Sequence, residues 1–123
     1  MAPTPLVPGP DHPITVEPTG HHVTVSVDGR QIAASDSALT LREASYPPVQ
    51  YIPIADVDPE VLRASDAHTH CPYKGDASYY DIVVDGTERS DTVWVYREPY
   101  PAVADIVDHV AFYADRVTIT VGV

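Results

Sequence analysis

Two runs of alternating side chains each end in an Asp-Gly pair: Val23 to Val27 leads into Asp28-Gly29, and Tyr79 to Val84 into Asp85-Gly86. In an extended chain successive side chains point to opposite faces, so Val23, Val25 and Val27 share one face while Thr24 and Ser26 take the other. Asp-Gly suits a two-residue turn whose central positions both need positive φ, which makes each run the first arm of a β-hairpin. The first hairpin predicts a return strand with Ile32 and Ala34 inward, and the second returns through Val93, Trp94, Val95 and Tyr96.

The likeness of the two units continues beyond the turns. "VSVDG" is followed by "LREASYP" and "IVVDG" by "VYREPYP", so that Arg42-Glu43 matches Arg97-Glu98 and Tyr46-Pro47 matches Tyr100-Pro101. Two hairpins of this kind, each ending in a Tyr-Pro corner, can pack face to face around one core. Val117, Ile119 and Val121 restore alternation in a last strand. Helix is confined to two places. Asp58-Pro59-Glu60 supplies an N-cap, a first-turn proline and a first-turn acid, and Val103, Ile106, Val107 and Val110 recur at helical spacing after Pro101. The expected fold class is mainly β: a compact antiparallel domain of two small sheets with one or two short helices.

Six of the thirteen prolines fall within the first twenty residues. Each fixes φ and removes a backbone donor, so residues 1–20 read as an extended arm and residues 21–123 as a single domain. A chain of 123 residues can bury enough surface to stand without staples. Seven basic residues face eighteen acidic ones, for a net charge of -11. That balance argues against nucleic acid and against anionic membrane surfaces as partners. The single cysteine, Cys71, forms no internal disulfide, and no stretch reads as a secretion signal, so the expected location is cytoplasmic.

The chemistry-bearing residues concentrate in "HTHCPYKGDASYY", His68 to Tyr80. Cys71 is a candidate nucleophile, with His70 adjacent as acid or base and Lys74 three residues on as an amine or oxyanion partner. Pro72 to Gly75 reads as a turn that brings Lys74 back toward Cys71 or His70. The plainer alternative is a packed strand end in which Cys71 is simply buried, cysteine being among the most buried residue types. His68 and His70, two apart on a strand, fall on one side at a spacing found in metal sites, with Asp66, Cys71 or His109 as a third ligand. No paired cysteines accompany them, and no metal or cofactor is assigned. Lys74-Gly75-Asp76 lacks the glycine and hydroxyl spacing of a phosphate loop. Eight tyrosines and one tryptophan against one phenylalanine favour a cleft in which rings supply contact and hydroxyls supply orientation.

Four segments carry a resemblance to a known family: "YPPVQYIP" (46–53), "THCPYKGDASYY" (69–80), Trp94-x-Tyr96 with its following prolines, and "VAFYADRV" (110–117). They resemble the bacterial family called domain of unknown function 427 (DUF427), over about His22 to Val121. The resemblance implies a β-tent domain, in which two sheets meet at an angle over a ligand-sized cleft. Other β-tent families hold zinc through paired cysteines, which this chain lacks, so no metal carries over. A nucleotidyltransferase label sometimes attached to the family finds no matching nucleotide-binding residues here. Ala114 stands where many relatives carry a bulkier side chain, which implies a differently shaped site.

The functional expectation is a small-molecule ligand or substrate held in an aromatic cleft. Trp94 and Tyr96 would form its floor, with Tyr51, Tyr73 and Tyr80 as ring contacts. Asp76 lies on the rim, and Lys74 and Arg97 are available to an acidic group on the ligand. The same cleft would serve a cofactor-independent enzyme working through His70, Cys71 and Lys74. The alternative is a noncatalytic metal-binding or protein-interaction module, with the proline arm docked on another chain or on a second copy as a homodimer.

Overall fold

The computed structural model describes residues 5–122. Ten strands form two antiparallel sheets, as the alternation predicts. They are β1 (Ile14–Pro18), β2 (Val23–Val27), β3 (Arg30–Ser35), β4 (Leu39–Glu43), β5 (Val49–Pro53), β6 (Leu62–Cys71), β7 (Gly75–Val84), β8 (Thr87–Tyr96), β9 (His109–Phe112) and β10 (Thr118–Val121). One sheet has seven strands in the order β1-β4-β5-β9-β8-β7-β6, and the other has three in the order β10-β2-β3. No helix among the described residues is long and apolar enough to cross a membrane.

Both Asp-Gly pairs make the expected turns. Asp28 and Gly29 take φ of 50° and 83°, and Asp85 and Gly86 take 51° and 78°, the left-handed pair that matches the twist of the flanking strands. In the first hairpin Ile32 is buried as expected, but Ala33 joins it inside while Ala34 is only half-buried. A bulge explains the change: Val25 pairs with Ala33 while Ser26 pairs with Gln31, so the return strand gains a residue and its inward face shifts.

The second hairpin, β7–β8, organises the molecule because its two faces serve two cores. Val93, Val95, Ile82 and Val84 face the three-stranded sheet and pack against Val23, Val25, Val27 and Ile32. The two hairpins therefore pack face to face across one core. The alternate residues Ala77 and Tyr96, with Tyr79 and Trp94 at the margin, face the other way into a second core with Leu41, Tyr51, Val103 and Ile106. Strand β5 joins the halves of the large sheet, its first residues pairing with β4 and Ile52 and Pro53 pairing with β9.

Among the described residues, helical structure is limited to three 3-10 segments, Ile54–Asp56, Pro59–Val61 and Pro101–Ile106. The Asp58 side chain caps the second by accepting from the Glu60 N–H, as the sequence predicts. The helical spacing after Pro101 holds only as far as Ile106. Asp108 turns to φ 54°, and Val110 instead enters β9, between Ile52 and Val95.

Within residues 1–20, Ile14–Pro18 form an edge strand paired with β4. The Leu6 N–H donates to the Pro72 carbonyl at 2.9 Å. Prolines are compatible with a sheet edge, where a missing N–H leaves no ladder bond unmade.

Candidate functional site

A cavity of about 200 Å³ opens between the β4–β5 pair and the second face of the β7–β8 hairpin. Strand alternation explains its walls. From β8 come Trp94 and Tyr96, from β7 Tyr79, from β5 Val49 and Tyr51, and from β4 Leu41 and Glu43. The Tyr46-Pro47 corner, Lys74 from the β6–β7 turn, and Tyr113 just after β9 close the sides. Trp94 Nε1–H donates to the Tyr51 hydroxyl at 3.1 Å, and the Trp94 ring lies 4.7 Å from that of Tyr113.

At one end of this cavity two chain segments converge on Glu43. Lys74 Nζ donates to Oε1 at 2.5 Å and His12 Nε2 donates to Oε2 at 2.7 Å. Tyr73 stacks flat on the His12 ring, centroids 4.1 Å apart. The Lys74 and Glu43 side chains are only 13% and 14% exposed, so each charge depends on the other for compensation. Burial pushes the Glu43 carboxyl up, but the hydrogen bonds and charges of Lys74 and His12 outweigh it and hold the group below its ordinary range.

Tyr96 is the other polar feature. It is 5% exposed, and among the described residues its hydroxyl has no hydrogen-bond partner; its titrating neighbours are Tyr51, Cys71, Tyr79 and Glu43. Burial, reinforced by those neighbours, pushes its pKa far up. Tyr51 is raised in the same way, burial outweighing the bond from Trp94. Both phenols are therefore protonated at neutral pH, and Tyr96 lines the cavity with a hydroxyl free to donate. At the rim, Tyr113 is pushed up to about 12 by its hydrogen bond with Tyr79 and by burial.

Of the residues singled out in the sequence, Tyr51, Lys74, Trp94 and Tyr96 meet in this cavity. Tyr73 lies behind Lys74 on His12. Cys71 is half-buried and packs against the core beneath. His70 is turned outward, donating to Asp76 at 2.7 Å, with Tyr100 edge-on at 6.2 Å. Tyr80, one residue out of phase with Tyr79, lies on the opposite face against the first core. Arg97 donates to its hydroxyl and to Asp108. No three His, Cys, Asp or Glu side chains gather closely enough to hold a metal among the described residues. His109 instead donates to the Val107 carbonyl.

Sequence reasoning passed over Glu43 and His12 and gave no special weight to Tyr79 or Tyr113. The tyrosines were visible as part of the aromatic excess. Glu43 carried no signal beyond the Arg-Glu repeat, because both of its partners lie 31 residues away in sequence.

The fold and site define a mainly β domain of two antiparallel sheets with a tyrosine-walled cavity that has one compensated ion pair. The chain belongs to the family described as domain of unknown function, DUF427, whose profile matches residues 15–122. The matched span begins inside β1. No curated protein matches the chain.

Proposed function

We propose that this protein binds a small, uncharged organic molecule, about the size of one substituted ring, in the cavity over Trp94 and Tyr96. The observation that carries this reading is the Tyr96 hydroxyl, protonated and without a hydrogen-bond partner among the described residues, on a side chain that lines the cavity. A hydroxyl that has no protein partner at a cavity wall is free to donate to an acceptor on a ligand, such as a carbonyl oxygen. A volume of about 200 Å³ falls below the ~300–1,000 Å³ of sites for drug-sized molecules and above the ~150 Å³ of a cavity that takes benzene. A nucleoside triphosphate is too large for it. The one cation at the cavity is neutralised by Glu43, which favours an uncharged ligand over a carboxylate or phosphate.

On this reading Lys74, alone of His70, Cys71 and Lys74, acts at the cavity, orienting the ligand from its place on Glu43. The acidic balance supports partners other than nucleic acid or anionic membranes. The unpaired Cys71 accords with a cytoplasmic setting.

Trp94 is the only tryptophan and reports on the cavity directly. Acetophenone and benzamide are expected to give saturable quenching of its fluorescence, and Tyr96→Phe to weaken both about tenfold, the worth of one buried hydrogen bond. Quenching that does not saturate, or that Tyr96→Phe leaves unchanged, overturns the proposal.

A further inference from the structure

The cavity does not end at its rim. Tyr46, Pro47, Val49, Trp94 and Tyr113 also line a groove of about 520 Å³ that runs past Phe112 and Ala114 to Ile119 and Val121 on β10. No charged side chain lines this groove among the described residues. Its one amide, Gln50, is already engaged: Oε1 accepts from Thr19 at 2.6 Å and Nε2 donates to Thr40 at 3.1 Å. A polar pocket with a free donor thus opens into an apolar trough through shared walls, with Trp94 at the junction.

We infer that the ligand is a neutral amphiphile, with an acceptor head on Tyr96 in the cavity and an unbranched apolar tail along the groove to Val121. The inference rests on the cavity reading and adds the tail. Apolar surface of this kind gains from covering in proportion to the area buried, and the groove leads away from the head pocket over Pro47, Val49 and Ile119 without meeting a charge. A fatty carboxylate fits poorly, because Glu43 already compensates Lys74.

The test is calorimetric titration with 2-alkanones from 2-butanone to 2-nonanone, with alkanoates of equal length alongside. Affinity for the ketones is expected to rise by about fourfold per methylene, the usual gain for burying one, and the alkanoates to bind more weakly at every length. Val121→Asp and Ala114→Phe alter exposed residues of the groove. Each is expected to cut affinity for 2-nonanone at least tenfold while leaving that for 2-butanone unchanged. If short ketones bind in a Tyr96-dependent way but affinity is flat with length, the tail is overturned and the cavity reading stands. Failure of every ketone and of acetophenone overturns both. If the series is flat and light scattering shows Val121→Asp splitting a dimer, the groove is an interface between copies and the inference is overturned.

Discussion

The indole N–H of Trp94 donates to the hydroxyl of Tyr51 at 3.1 Å, and the two rings meet edge-on with centroids 6.4 Å apart. This bond ties β8 to β5 across the cavity, linking residues 43 apart in sequence. Tyr51→Phe keeps the ring and removes the acceptor, so the indole N–H loses its partner. A stability loss of about 1–3 kcal/mol is expected from urea unfolding, together with a shift in Trp94 emission. A change within error would mean that water replaces the hydroxyl at no cost.

Glu43 gives the fold an acid limit. Burial raises its pKa, but Lys74 and His12 lower it by more, so the folded value lies below the unfolded 4.5. The native state then binds fewer protons than the unfolded chain. The stabilisation is complete above the unfolded value and is lost as pH falls below about 4.5 through the lowered folded value. Glu43→Gln is expected to flatten the stability profile in that acid window. Glu43→Ala, which leaves Lys74 without its counter-charge, is expected to cost about 3–5 kcal/mol near neutrality.

Three glycines separate conformational strain from crowding. A Cβ at Gly29 or Gly86 would meet nothing within 4 Å, so only their φ of +83° and +78° opposes a side chain. Gly29→Ala and Gly86→Ala are each expected to cost about 1–2 kcal/mol. At Gly75, φ is +111° and a Cβ would come within 3.3 Å of the Glu98 carbonyl oxygen. Gly75→Ala is therefore expected to cost more than either, and equal losses in thermal unfolding of all three variants would remove the crowding argument.

Cys71 and His70 provide a control on mechanism. Cys71 packs against the second core, and Cys71→Ala is expected to cost about 1 kcal/mol for the lost packing while leaving acetophenone affinity within twofold. His70→Ala, which releases a surface pair with Asp76 and an edge-on contact with Tyr100, is expected to leave affinity unchanged. A large loss in calorimetric titration of either variant would return these residues to the site.

The hairpins were legible because their information is local: alternation chooses the face and Asp-Gly chooses the turn. The same locality explains where sequence reading departed from the structure. Nothing near Ala34 announces the bulge at Ile32, which shows only in the pairing of β3 with β2. The helical spacing through Val110 is overridden because its backbone completes the ladder between β5 and β8. Tyr79 and Tyr80 look alike in sequence, yet one-residue alternation sends one to the cavity and the other to the opposite core.

By itself the sequence determined a mainly β, antiparallel chain, the two hairpin turns, the family, and the aromatic character of the site. The tertiary structure alone decided which aromatics converge, that His12 and Lys74 meet on Glu43, and that Tyr96 lines a cavity with its hydroxyl unpartnered. Periodicity and turn chemistry act between neighbours in the chain, whereas pairing a charge or sealing off a hydroxyl depends on strands that are brought together only when both cores close.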